Sequence, residues 1–225
     1  MSHRLLFAGV SMAVVASLVL AGENAAKSTG IDVLKNPDYS VKSITPIFGQ
    51  LVMFSYPRGF KPVFENVTGG QYLQESVLEG ETTKKWSQMI TVTGAQGLSA
   101  NPNATPEKLA DRIAGGFRRA CPDSFSGTSL GAARLSGHES FGAIISCGMA
   151  APAGAQYSES MLLIVLKGES DYYTIQWAER ADASRTPLKL DETKWADRMK
   201  RLAPIRLCPI VRGEPAPYPS CANRK

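Results

Sequence analysis

The sequence predicts an α+β fold: an antiparallel β-sheet flanked by two main α-helices, in the manner of an αβα sandwich. Three observations carry that expectation. Short runs of β-forming residues are joined by links too short to hold a crossover helix, so neighbouring strands run antiparallel. Two amphipathic helices with clear start signals each need an apolar sheet face to cover. The order of strands, helix, strands and helix also lacks the strict alternation of a doubly wound nucleotide fold. A chain of 225 residues, 44% of them hydrophobic, suits one domain and excludes wholesale disorder.

From the N-terminus, an apolar run from Leu5 to Gly22 follows His3 and Arg4 and ends in small residues. That pattern predicts a signal peptide over residues 1–21, cut after Ala21 or as late as Ala26. An uncleaved anchor helix is the competing reading. Residues 22–47 are polar, with turn signals at Asn36-Pro37-Asp38 and Pro46, and read as a linker. A single domain is expected over 48–207 and a basic, proline-rich tail over 208–225.

Gln50 to Tyr56 is an apolar run stopped by Pro57, which predicts a buried first strand. Pro57 to Pro62 reads as a loop, Gln71 to Leu78 as the second strand, and Trp86 to Thr93 as the third. Thr105-Pro106-Glu107 opens the first helix: Thr105 caps free N–H groups, Pro106 has no N–H to lose, and Glu107 suits the dipole. Leu109, Ile113 and Phe117 make its apolar face, and Gly115-Gly116 weakens its last turn. His138 to Cys147 is the fourth strand, followed by a small loop over 150–155. Ser160 to Lys167 and Tyr172 to Ala178 are two more strands. The unbroken apolar run Met161 to Leu166 belongs at the centre of the sheet. Asp191 caps the second helix, with Trp195, Met199 and Leu202 as its buried stripe and Pro204 as its stop. Pro209, Pro215, Pro217 and Pro219 predict an extended, non-helical tail. No internal repeat is present.

The four cysteines, Cys121, Cys147, Cys208 and Cys221, read as two disulfides in an exported chain. Three connectivities exist, and proximity favours Cys121 with Cys147 and Cys208 with Cys221. A zinc site is the weaker rival, because no pair has the usual close spacing.

Histidine limits the chemistry. Of the two, His3 lies in the leader, which leaves His138 as the only imidazole for a triad. A histidine-rich metal site is excluded within one mature chain. Glu75, Glu79 and Glu81 cluster near one hairpin, and Glu169 and Asp171 lie in a turn, where solvation accounts for them. No phosphate-binding loop, dinucleotide fingerprint or nucleophile elbow occurs, and no cofactor is expected. Asn66-Val67-Thr68 and Asn103-Ala104-Thr105 match the glycosylation sequon, which chance explains equally well.

Charge points to a surface. The net charge is +5, and from Lys194 onward eight basic residues face only Asp197 and Glu214. Lys194, Arg198, Arg201 and Arg206 are therefore binding candidates toward an anionic surface, with a solvated helix face as the plain alternative. A second candidate is the loop after the first strand, where Arg58, Phe60 and Lys61 combine aromatic and basic groups. The expected partner is a protein or an anionic envelope component, and not nucleic acid. The mature chain is expected to have no transmembrane span, and nothing fixes the oligomeric state.

A strand running into Tyr56-Pro57-Arg58-Gly59-Phe60, a meander, the Thr105-Pro106-Glu107 helix, a hairpin and a closing helix around Trp195 together resemble the PsbP-type αβα sandwich. The resemblance spans roughly residues 48–207 and implies a non-enzymatic binding, assembly or accessory protein. The four cysteines and the basic tail depart from that pattern. The expected function is an exported, periplasmic or secreted, non-catalytic binding or accessory protein. The alternative is a secreted hydrolase using His138 or the Glu75/Glu79/Glu81 group.

Overall fold

A seven-stranded antiparallel sheet, buried on both faces over its central strands, organises the structure. The computed structural model describes residues 40–149 and 157–223. The leader predicted over 1–21 and most of the linker lie outside them. Among the described residues no helix is long and apolar enough to cross a membrane.

The chain enters through β1 (Ser40–Ile47) and β2 (Gln50–Pro57), which pair antiparallel. The predicted linker over 22–47 is thus corrected: its last eight residues form a strand. Pro46 tolerates this because β1 lies at a sheet edge, where a missing N–H is harmless. Next come β3 (Phe60–Thr68), β4 (Gln71–Leu78) and β5 (Gln88–Ala95). A short 3-10 turn at Leu98–Ala100 leads to α1 (Pro106–Ala120). Then follow β6 (Phe125–Leu135), β7 (His138–Cys147), β8 (Tyr157–Lys167) and β9 (Tyr172–Asp182). The chain closes with α2 (Glu192–Leu202), β10 (Arg206–Pro209) and the short α3 (Pro219–Ala222).

The large sheet has the order β3-β4-β5-β9-β8-β7-β6, and a second sheet has the order β1-β2-β10. Alternation divides the core. Leu162, Ile164 and Leu166 of β8, with Tyr173, Ile175 and Trp177 of β9, point to one side. There they meet Val52 and Phe54 of the small sheet and Trp195 and Leu202 of α2. Met161, Leu163 and Val165 point to the other side, toward Ile113 and Phe117 of α1. Two-sided burial is why β8 reads as an unbroken apolar run. The fold class is α+β with antiparallel sheets, as predicted. A sandwich of sheet and two helices is an incomplete description, because the three-stranded sheet shares one face with α2.

The two helices start where their caps predict. The Thr105 side chain accepts from the Lys108 N–H, and that of Asp191 accepts from the Lys194 N–H. One face is corrected. In α2 the buried stripe is Trp195, Arg198 and Leu202, whereas Met199 is 37% exposed. The tail is corrected too. Leu207 and Cys208 pair with β2, and the Cys208–Cys221 disulfide folds the last residues back over Leu51 and Met53. A second disulfide joins Cys121 after α1 to Cys147 at the end of β7.

Glycine sets the spacing of the two sheets at one point. A Cβ on Gly94 would lie 2.7 Å from Ile47 Cγ2, so only glycine lets the β1–β2 turn rest against β5.

Candidate functional site

The two predicted binding groups are drawn inward in part, at Phe60 and Arg198. Phe60 stacks edge-on against Trp177, with ring centres 5.5 Å apart, and against Tyr56. Lys61 forms an ion pair with Glu79. Arg58 stays exposed at the β2–β3 turn. On α2, Lys194 and Arg198 both bind Glu179, the latter at 2.6 Å. Arg198 also lies against the rings of Trp177 and Trp195, at 5.0 and 4.6 Å. Burial pulls the Arg198 pKa down, and Glu179 opposes that pull. Arg201 pairs with Asp197 one helical turn away. Arg206, half-buried in β10, stands opposite Met53. Lys194 and Arg198 therefore hold α2 onto β9.

The carboxylates of the alternative hydrolase reading have separate surroundings. Lys61 holds Glu79 below the usual carboxylate range. Glu81 accepts from the Ser87 N–H and hydroxyl. Glu75 projects from β4 on the α1 side of the sheet. His138 is half-buried at the start of β7. Among the described residues no group of three or more His, Cys, Asp or Glu can hold a metal ion.

Asp171 departs from its solvated-turn reading. It is 3% exposed and accepts from the Gly49 N–H at 3.1 Å, the Gly97 N–H at 2.8 Å and the Tyr173 hydroxyl at 3.2 Å. A buried carboxylate with three donors fixes three turns together. Only its place in a tight turn hinted at that role.

The open surface lies elsewhere. Helix α1 packs chiefly on β7, with β8 and β6 beside it. Beyond it, on the same face, the sheet presents two cross-strand rows. One is Gln176, Thr91, Glu75 and Phe64; the other is Thr174, Thr93, Leu73 and Asn66. Thr93 and Thr174 bond each other at 2.7 Å, and Gln176 donates to Thr174. Both rows end at β3, a sheet edge whose residues from Lys61 on are exposed. Val63, Phe64 and Val67 are 43%, 43% and 60% exposed. A bulge between Pro62 and Phe64, together with Lys61, guards the first third of this edge. Phe64 to Thr68 has no bulge and no lysine. Sequence reasoning missed this site because it ends a loop at Pro62 and assigns no element from there to the second strand at Gln71.

A separate cavity of roughly 400 Å3 lies beside α1, lined by Ile113, Phe117, Cys147, Tyr157 and Glu159. Next to it Arg180 is stacked between Trp86 and Tyr157, at 3.8 and 4.0 Å, and pairs with Glu159. These contacts tie the loop before β5 to the sheet.

No protein family matches the chain, and neither does any curated protein. Among solved structures it is similar to a single-residue mutant of the protein Mog1, at 12% identity over 70% of this chain and 84% of that one, with a TM-score of 0.38. It is also similar to the Saccharomyces cerevisiae Ran-binding protein Mog1p, at 12% identity over 71% and 84%, with a TM-score of 0.39. The PsbP-type resemblance is corrected on this finding, since the similar structures are Mog1. The exported, periplasmic or secreted location is likewise withdrawn on these neighbours.

Proposed function

We propose that the protein is a non-catalytic protein-binding module that receives an extended segment of its partner along the β3 edge. One observation carries this reading. At β3 the sheet presents a strand paired on one side only among the described residues, bearing Val63, Phe64 and Val67 in the open. An edge strand leaves a row of backbone N–H and C=O groups unpaired, and a further strand satisfies them in register. Exposed apolar side chains on alternate sides of that edge add contact area to the backbone bonds. The internal bonds that engage Glu79 and Glu81 support a binding rather than a catalytic role.

The test uses a fluorescently labelled peptide of about seven residues alternating threonine and valine. Binding is read by anisotropy, and protection of backbone amides by hydrogen exchange. The expected result is binding that protects Phe64 to Thr68. Replacing Val63 and Val67 together by lysine weakens it at least about tenfold, because edge lysines block strand pairing. Binding that leaves those amides unprotected, or no binding, overturns the reading.

A further inference from the structure

We infer that the segment received by β3 carries an arginine opposite Phe64, whose guanidinium lies over the Phe64 ring and pairs with Glu75. This rests on the strand-docking reading above.

The four carboxylates of the β3–β4 hairpin and the loop after it differ in one respect. Glu65 accepts from the Tyr72 hydroxyl at 2.8 Å, Glu79 pairs with Lys61, and Glu81 is bonded to Ser87. Glu75 has no hydrogen-bond or ion-pair partner among the described residues. It is half-buried, with Phe64 opposite on β3 and Thr91 opposite on β5. A carboxylate that has lost part of its water and gained no donor attracts a cation from outside.

The geometry selects which cation. Neighbouring strands lie ~4.8 Å apart, so a residue paired opposite Phe64 stands about 10 Å from the Glu75 backbone. An arginine side chain and a glutamate side chain together span that gap, and the arginine crosses the Phe64 ring on the way. A planar guanidinium stacks on a ring and still donates two parallel bonds to a carboxylate. A lysine ammonium gains less from both contacts. Thr91 and Gln176, next along the row, keep the far side of the carboxylate polar.

The experiment compares the threonine–valine peptide with three versions carrying arginine, lysine or glutamate at the centre. Each is titrated against the wild-type chain, Glu75→Gln and Glu75→Arg. Glu75 has no partner among the described residues, so these variants keep the wild-type thermal midpoint. The expected order on wild type is arginine, lysine, neutral, glutamate, with arginine about tenfold tighter than neutral. Glu75→Gln removes the preference, Glu75→Arg reverses it toward the glutamate peptide, and raising salt shrinks it. Equal binding of all four peptides, still blocked by lysine at Val63 and Val67, overturns this inference and leaves strand docking standing. Absence of binding, or a free chain that dimerises through β3 in a lysine-sensitive way, overturns both.

Discussion

Glu179 shows how one side chain decides what a basic helix does. Its carboxylate takes Lys194 on one oxygen and Arg198 on the other, and Arg198 is only 8% exposed. The two pairs differ in solvent access, so their contributions differ. Glu179→Ala strips a buried guanidinium of its counter-charge and costs about 3 kcal/mol in urea unfolding. Lys194→Ala, at a side chain 41% exposed, costs under about 1 kcal/mol. Equal costs would contradict the assignment. The charge pattern of α2 was legible in the sequence, but its destination was not. Met199 looked like the buried residue because it is apolar. Two tryptophan faces and one carboxylate make Arg198 the better fit for that place.

Among the elements, those with internal signals were read well and the rest poorly. The Thr105 cap, Pro106 and the Leu109/Ile113/Phe117 face place α1 without help from the fold. Thr105→Ala removes the acceptor for the Lys108 N–H and lowers stability by about 1 kcal/mol, measured by thermal or denaturant unfolding. Strands β3 and β6 carry no such signal. The first is exposed along nearly its whole length, and the second is largely exposed and built from Gly, Ser and Ala. A strand with little burial has no apolar alternation to read, since alternation records a buried face. The candidate site thus fell where the sequence is least informative, although Phe64 and Glu75 were both visible.

For the molecule as a whole, two phenols join the layers. The Tyr56 hydroxyl of the small sheet bonds Ser76 of the large one, and the Tyr173 hydroxyl reaches the Ile47 carbonyl at 3.2 Å. Burial pushes Tyr56 up to about 12 and raises Tyr173 as well. Above pH ~10 the unfolded chain releases these protons while the native one holds them, so stability falls with rising pH. The loss begins near pH 10 and, for Tyr56, is complete as pH passes about 12. Tyr56→Phe flattens that decline by about 2 kcal/mol across the window, read from urea midpoints at stepped pH. A wild-type slope retained in the variant would exclude this origin.

The three-stranded sheet draws its members from opposite ends of the chain, Ser40–Pro57 at one end and Arg206–Pro209 at the other. During synthesis its middle strand leaves the ribosome long before its last neighbour exists. A nascent polypeptide stopped anywhere short of Arg206 displays the flank of β2 that β10 later occupies, so premature termination yields a sticky, protease-sensitive product rather than a smaller working one.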